Sequence, residues 1–103
     1  MVDYATDVRK YTATVDEAAV AAIVKYCGIA LQRADSSLVA TSDRKELDTI
    51  RDGFAAKKLG LDAGAAEPGL RAAAEKMKAT GHKSRVTFYY LLAESTGTLD
   101  KLH

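Results

Sequence analysis

Residues 84–97 read Ser-Arg-Val-Thr-Phe-Tyr-Tyr-Leu-Leu-Ala-Glu-Ser-Thr-Gly, and this stretch decides the fold. Its β-branched and aromatic residues, taken alone, are compatible with a buried strand from Val86 to Leu92. The chain contains no second strand candidate, and an unpaired strand would leave its backbone N–H and C=O groups unsatisfied. We therefore predict a helix from about Ser84 to Thr96, ended by Gly97.

Helix signals also occupy the first third of the chain. Tyr4, Val8 and Tyr11 have the spacing of one face of a short N-terminal helix. The sequence Thr-Val-Asp-Glu at 14–17 matches a capping box that would begin a second helix, running to about Leu31. This second helix is apolar almost all round, which is typical of a helix packed on several sides.

A third helix is predicted to begin at a cap provided by Ser42 or Asp43. It would end with Lys57 and Lys58 in its last turn and Gly60 just beyond, as helix C-termini commonly do. Its narrow apolar face contains Leu47, Ile50 and Phe54.

The segment 61–69 is rich in small residues, and we interpret it as a loop. A fourth helix would restart near Glu67 with Pro68 in its first turn and close at Gly81. In the preceding connector, Leu38 and Val39 are predicted to insert into the core. The whole pattern predicts an all-α fold with a single domain over residues 1–103, in which about five main helices pack around the central buried helix Val15–Leu31.

Composition restricts the class of protein. The chain has 103 residues, 48% of them apolar, and a formal net charge of +1. These values are typical of one globular domain with no strong overall field towards nucleic acid or membrane. A single cysteine, the absence of a long apolar run and an N-terminus unlike a secretory signal predict a cytoplasmic protein that does not enter the membrane.

The strongest candidate site is the basic turn that precedes the last helix. Lys76, Lys78, His82, Lys83 and Arg85 lie in one short segment beside the apolar block. If Ser84 begins a helix, its free backbone amides and the neighbouring cations could hold a phosphate, sulfate or carboxylate. We therefore predict an anion or ligand site formed by His82, Lys83, Ser84 and Arg85. The alternative is a solvated turn whose cations pair with acids such as Glu75.

Other kinds of chemistry have weaker support. Gly81-His-Lys-Ser84 differs from a nucleotide-binding loop, because His82 separates the glycine from the lysine and Lys76 occupies the upstream glycine position. Cys27 lies among apolar helix neighbours and is interpreted as a buried hydrophobic residue. The two histidines, His82 and His103, lack the spacing of a zinc or di-iron site, so no metal and no cofactor are predicted.

Three functional hypotheses remain open. The first is a non-enzymatic binding or interaction module, with an anion or partner docked at Gly81–Arg85. The second is a small-molecule enzyme with His82, Tyr89 or Tyr90 as proton carriers. The third is weak association with nucleic acid through the same basic cluster. Tyr89 and Tyr90 are adjacent and cannot both face inward along one narrow helix face, so one of them could line a groove or a surface for homo-oligomer formation. The alternative is that the tyrosines pack in the core with their hydroxyls reaching the surface.

Several segments carry a resemblance to a known family. They include the ten residues Lys-Ser-Arg-Val-Thr-Phe-Tyr-Tyr-Leu-Leu beginning at Lys83 and continuing through Ala93 to Glu94. The others are Ile23-Val-Lys25, Gly28-Ile-Ala-Leu31, Ser37-Leu-Val-Ala40 and Lys57-Lys-Leu-Gly-Leu61. In this order the chain resembles the small bacterial proteins of the domain of unknown function 2853 family. The resemblance implies a compact all-helical domain of bacterial origin with no established activity and no catalytic residues to transfer.

Overall fold

The structure, a computed structural model, describes residues 4–28, 38–39, 41, 43–79 and 83–102. These residues form helices, with no named strand among them, and the predicted all-α fold is confirmed. The radius of gyration of 12.1 Å is that of one compact body of this length. In chain order the elements are α1 (Tyr4–Val8), α2 (Glu17–Cys27), α3 (Arg44–Ile50), a π-helix (Arg51–Lys58), α4 (Ala63–Lys76), α5 (Arg85–Thr96) and a 3-10 helix (Leu99–Leu102).

The decisive stretch is a helix, and it occupies the centre of the fold. Eight consecutive residues of α5, from Val86 to Ala93, are buried. It packs on α1, α2, α4 and the 3-10 helix. Gly97 ends α5 in the left-handed conformation at φ 70°, and its N–H bonds to the carbonyls of Ala93 and Glu94, as predicted.

The predicted central helix Val15–Leu31 is not the central one. Within α2 only Ala19, Val20 and Ile23 are buried, and Tyr26 is 43% exposed. Much of the apolar surface of α2 comes from alanines. Because alanine side chains are small, they can lie at the protein surface without exposing much apolar area. The helix ends at Cys27, with Gly28 at its C-cap, and not near Leu31 as predicted.

A buried helix needs partners for its polar groups, and α5 obtains them from the beginning of the chain. The Thr87 hydroxyl donates to Asp7, and the Tyr90 hydroxyl accepts from the Asp16 N–H at 2.8 Å. Glu94 accepts from the Thr12 hydroxyl at 2.8 Å. No buried side-chain nitrogen or oxygen of the described residues lacks a partner.

Two helix starts differ from the predictions. The cap of α2 is Asp16, whose carboxylate accepts from Ala19 N–H at 3.1 Å, and not Thr14. The cap of α4 is Asp62, which accepts from Ala65 N–H at 2.8 Å, so that Pro68 lies inside the helix and not in its first turn. In both places an aspartate two to five residues from the predicted position satisfies the free amides.

The third helix agrees with its predicted limits but changes its winding. Asp43 caps α3 by accepting from Lys45 N–H at 3.0 Å, and Gly60 follows the last turn at φ 69°. From Arg51 onwards the chain is wound as a π-helix, which the sequence did not predict. The Leu59 N–H accordingly bonds to the Phe54 carbonyl, five residues earlier, at 3.2 Å.

Helices α4 and α5 approach each other closely at Gly69. A Cβ placed there would lie 2.5 Å from Thr96 Cγ2 and 2.7 Å from Leu92 Cδ1. On the inner face of α4, Leu70, Ala73 and Met77 are buried, and Ala74 is half-buried. The helix ends at Lys76, with Met77 at its C-cap, so the predicted closure at Gly81 is wrong.

Candidate functional site

The N-terminal end of α5, where the sequence predicts an anion site, is joined to a distant segment of the chain. The Val39 N–H donates to the Lys83 carbonyl at 2.8 Å, and Leu38 forms an isolated antiparallel bridge with Ser84. Val39 is buried, as predicted, at 5% exposure. Ser84 takes the cap position of α5, but its hydroxyl makes no capping hydrogen bond. His82, the fourth predicted residue, lies outside the described residues.

Arg85 points into the protein at this end of the helix. Its side chain is 13% exposed and forms an ion pair with Glu46 of α3. The same guanidinium donates to the Leu38 carbonyl at 3.2 Å and to the Tyr89 hydroxyl at 3.1 Å. The structure therefore places Lys83 and Ser84 beside each other near the surface, while Arg85 connects α5 to α3.

An aromatic cluster lies directly behind this ion pair. The rings of Phe54 and Tyr89 stack at 4.2 Å between centroids, and Tyr26 packs against Phe54 at 5.3 Å. Burial raises the pKa of Tyr89, while the hydrogen bond from Arg85 acts in the opposite direction. Tyr89 and Tyr90 are both buried, at 6% and 1% exposure, because α5 is covered on all sides. Both rings therefore pack in the core, as one of the two interpretations left open by the sequence had it, and neither forms an outward surface.

Cys27 lies near the same cluster, and its thiol is poorly suited to nucleophilic chemistry. Burial raises its pKa to about 11, and the nearby positive charge of Arg85 offsets only part of this effect. A thiol of this pKa is almost wholly protonated near neutral pH, and the thiolate is the reactive form.

Within residues 4–28, 38–39, 41, 43–79 and 83–102, no group of three or more His, Cys, Asp and Glu side chains could hold a metal ion. In the same ranges, none of the helices has the length and apolar character needed to span a bilayer.

A concave surface with mixed chemistry lies between α3 and α4. It is a cleft of about 230 Å³. Its floor is apolar and its rim carries two guanidinium groups, one carboxylate and one hydroxyl. The lining residues are Leu47, Leu70, Ala74, Arg44, Arg71, Glu67 and Thr41.

The carboxylate of Glu67 in this cleft is already paired with guanidinium groups of the protein. Glu67 accepts from Arg44, and its Oε1 lies 3.3 Å from Arg51 Nη1. Arg44 also contacts Asp48 at 2.9 Å, and Arg51 contacts the same carboxylate at 3.1 Å. The hydrogen bond from Arg44 is the main reason that the pKa of Glu67 is lowered. This carboxylate therefore stays ionised with two cations beside it.

The other guanidinium of the cleft differs. Arg71 is exposed and makes no hydrogen bond or ion pair with any residue in the described part of the chain. It stands one residue after Leu70 and three before Ala74, two residues that line the apolar part of the cleft. An unpaired cation beside an apolar surface is an arrangement that can bind an amphipathic anion.

The π-helix adjoins this cleft. Its first residue, Arg51, reaches Glu67, while Phe54, three residues later, is buried against Tyr89. π-helical turns are rare and are frequent at functional sites. This short segment thus contacts both Glu67 of the cleft and the aromatic core.

The sequence reasoning missed the cleft because it placed the start of α4 too late. Glu67, Leu70, Arg71 and Ala74 have the spacing of one helix face, and this spacing was the available signal. Because the predicted helix began near Glu67, no neighbouring element could be assigned to this face. The position of α3 beside this face of α4 depends on tertiary packing, which local sequence patterns do not predict.

Comparison with known proteins gives a family without an assigned activity. A family profile described as "Protein of unknown function (DUF2853)" matches residues 3–100. A comparison with curated proteins finds no match for the chain.

Proposed function

The chain belongs to the DUF2853 family of unknown function, and we propose that it is a non-enzymatic binding module whose small-molecule ligand occupies the cleft between α3 and α4. The observation that carries the proposal is Arg71, an unpaired cation among the described residues, at the rim of an apolar concave surface. Ligand sites characteristically combine an apolar lining with a few convergent polar groups.

The chemistry of the cleft favours binding over catalysis. Its carboxylate, Glu67, has a lowered pKa because two guanidinium groups surround it. Such a carboxylate is a weak base and a poor proton acceptor near neutral pH. The enzymatic alternative through Tyr89 or Tyr90 also has less support, since both rings are buried against other helices.

Anion binding at Gly81–Arg85 is a second candidate, supported by the unused capping position of Ser84. The first-turn amides of α5 receive no hydrogen bond from that hydroxyl, and Lys83 is adjacent. Arg85 would contribute charge at a distance, because its guanidinium faces Glu46. The same ion pair weakens the case for nucleic-acid association, which needs several cations at the surface.

We further propose a cytoplasmic location in a bacterium. The free thiol of Cys27 is compatible with a reducing compartment. Cell fractionation with an antibody against the native protein tests the location, and recovery in a secreted or periplasmic fraction would contradict it. Self-association stays a prediction, to be measured by sedimentation velocity.

The binding proposal is tested by screening a mixed fragment library against the ¹⁵N-labelled protein. We expect binders of the cleft to shift the amides of residues 47, 70, 71 and 74. Ala74→Phe should fill the cleft and abolish these shifts. Ala65→Phe, at an exposed position of the same helix, is the matched control and should preserve them. A library without any such binder would contradict the proposal.

The second candidate is followed in a separate titration. Inorganic phosphate should shift the amides of residues 83–87 if the first turn of α5 holds an anion, and the effect should weaken with added salt. An unchanged spectrum at millimolar phosphate would eliminate this site and leave the cleft unaffected.

A further inference from the structure

We infer that the ligand of the α3–α4 cleft is a small carboxylate with a short apolar chain, anchored by Arg71 over Leu47, Leu70 and Ala74. This inference rests on the proposed binding function and names the chemical class that the cleft selects.

Charge excludes a cationic ligand. The carboxylate in the lining, Glu67, is already shared between Arg44 and Arg51. An incoming ammonium group would therefore find its acceptor occupied and would meet the positive charge of Arg71. An anion instead finds Arg71 without a competing partner in the described structure.

Geometry favours a planar anion over a point charge. A guanidinium presents parallel N–H donors that match the two oxygens of a carboxylate, and such paired hydrogen bonds are among the strongest in proteins. The hydroxyl of Thr41 lies on the same rim and can donate to an anion as well.

Arg44 can join the site without leaving Glu67 unpaired. Glu67 Oε1 retains Arg51 Nη1 at 3.3 Å if Arg44 turns towards the ligand. Arg44 itself is 58% exposed, so the movement requires no repacking of the core. The group formed by Arg44, Arg51 and Glu67 can therefore supply a second guanidinium, that of Arg44, to a bound anion.

Size limits the apolar part. The cleft of about 230 Å³ corresponds to roughly seven or eight water molecules at about 30 Å³ each. This volume is below the usual range for drug-sized ligands. A molecule with about eight non-hydrogen atoms, such as hexanoate, matches it, with its chain over the three apolar side chains.

The test compares probes that share one chain and differ in the head group. Hexanoate, hexan-1-ol and hexylammonium are titrated against the full-length ¹⁵N-labelled protein, together with acetate, which lacks the chain. We expect hexanoate to bind at the amides of residues 47, 70, 71 and 74 at least about tenfold more tightly than hexan-1-ol, because of the charge-assisted hydrogen bonds. Acetate and hexylammonium should bind more weakly still.

Variants of the anchor make the test specific. Arg71→Gln should reduce hexanoate affinity to that of hexan-1-ol, and Arg71→Lys should retain part of the difference. Arg9→Gln removes an exposed arginine outside the cleft and is the matched control. Because Arg71 is exposed, its variants should unfold at the same denaturant concentration as the native chain, which circular dichroism verifies.

The outcomes separate the two proposals. Equal affinity for the three head groups, or tighter binding of hexylammonium at the same amides, would overturn the carboxylate inference and preserve a binding cleft. An unchanged hexanoate affinity in Arg71→Gln would also overturn it. If neither these probes nor the fragment library shifts the cleft amides, the proposed function fails as well.

Discussion

The guanidinium of Arg85 and the carboxylate of Glu46 form an ion pair that joins α5 to α3 with 13% and 24% of their side chains exposed. Arg85 is also held by the Leu38 carbonyl and the Tyr89 hydroxyl. The sequence predicted a cationic turn before α5, but the charge of Arg85 in that turn is used inside the protein to hold α5 against α3.

Removing the carboxylate should destabilise the fold. Glu46→Gln leaves a largely buried guanidinium without its anion, and we expect a loss of about 2 kcal/mol in the free energy of unfolding. Urea denaturation measures it. Glu75→Gln is the matched control, since Glu75 pairs with Lys78 in a bridge whose side chains are 69% and 71% exposed. It should cost less than about 0.5 kcal/mol, and equal losses in the two variants would contradict a structural role for the Arg85 pair.

A methyl group at Gly69 should disturb the contact between α4 and α5. A Cβ there meets Thr96 and Leu92 at less than van der Waals distance, and overpacking of this kind costs about 1–3 kcal/mol. Gly69→Ala should therefore lower the thermal midpoint.

Gly64→Ala is the control for that substitution. Gly64 lies in the same helix and its added Cβ would meet only the Asp62 carboxylate, at 3.5 Å. Alanine has the higher helix propensity, so this variant should match or exceed the native stability. A stabilising Gly69→Ala would show that the two helices lie further apart.

Acid should weaken the network around Glu67. Its pKa is lowered in the native state, first by the hydrogen bond from Arg44. The unfolded chain then binds more protons than the native state, so this contribution is present above the ordinary pKa of 4.5 and disappears as pH falls through the native value.

Glu67→Gln and Arg44→Gln should both flatten the dependence of stability on pH below about 4.5. Urea midpoints measured across this range provide the comparison. Lys45→Gln removes an exposed cation from the same helix without touching Glu67, and its curve should parallel that of the native protein. If the curves of Glu67→Gln and Arg44→Gln were also parallel to that of the native protein, the Arg44 contact would have no energetic effect.

Cys27 should react slowly in the folded protein. Its pKa of about 11, against an ordinary value of 9.0, lowers the thiolate fraction near neutral pH by about a hundredfold. Alkylation by iodoacetamide at pH 8 should therefore be about two orders of magnitude faster in urea than in native buffer. Similar rates in the two conditions would place the thiol in contact with water.

Local signals predicted much of the secondary structure. The helix from Ser84 to Thr96 followed from the absence of a partner strand, and Asp43 and Gly60 marked the ends of the third helical region. The start of α4 was missed because Pro68 is a conventional first-turn signal, whereas Asp62, a stronger cap for these amides, lies upstream.

What the sequence could not provide depends on tertiary contacts. The apolar outline of α2 resembled that of a buried helix, but its alanines cover little area, and the larger side chains of α5 fill the core. The cleft requires α3 to lie beside one face of α4. The engagement of Arg85 by Glu46 joins positions 39 residues apart, so a count of local charge could not distinguish it from a free cation.

The polar contacts of α5 have a consequence for synthesis of the chain. Its hydroxyl and carboxylate groups bond to Asp7, Thr12 and Asp16, with sequence separations of 74 to 82 residues. Helices α1 and α2 therefore leave the ribosome long before α5, which covers them. Their apolar faces stay exposed until α5 has been synthesised. We expect a nascent chain arrested before residue 85 to remain sensitive to protease and to bind chaperones, and one released after residue 102 to close in a single cooperative step.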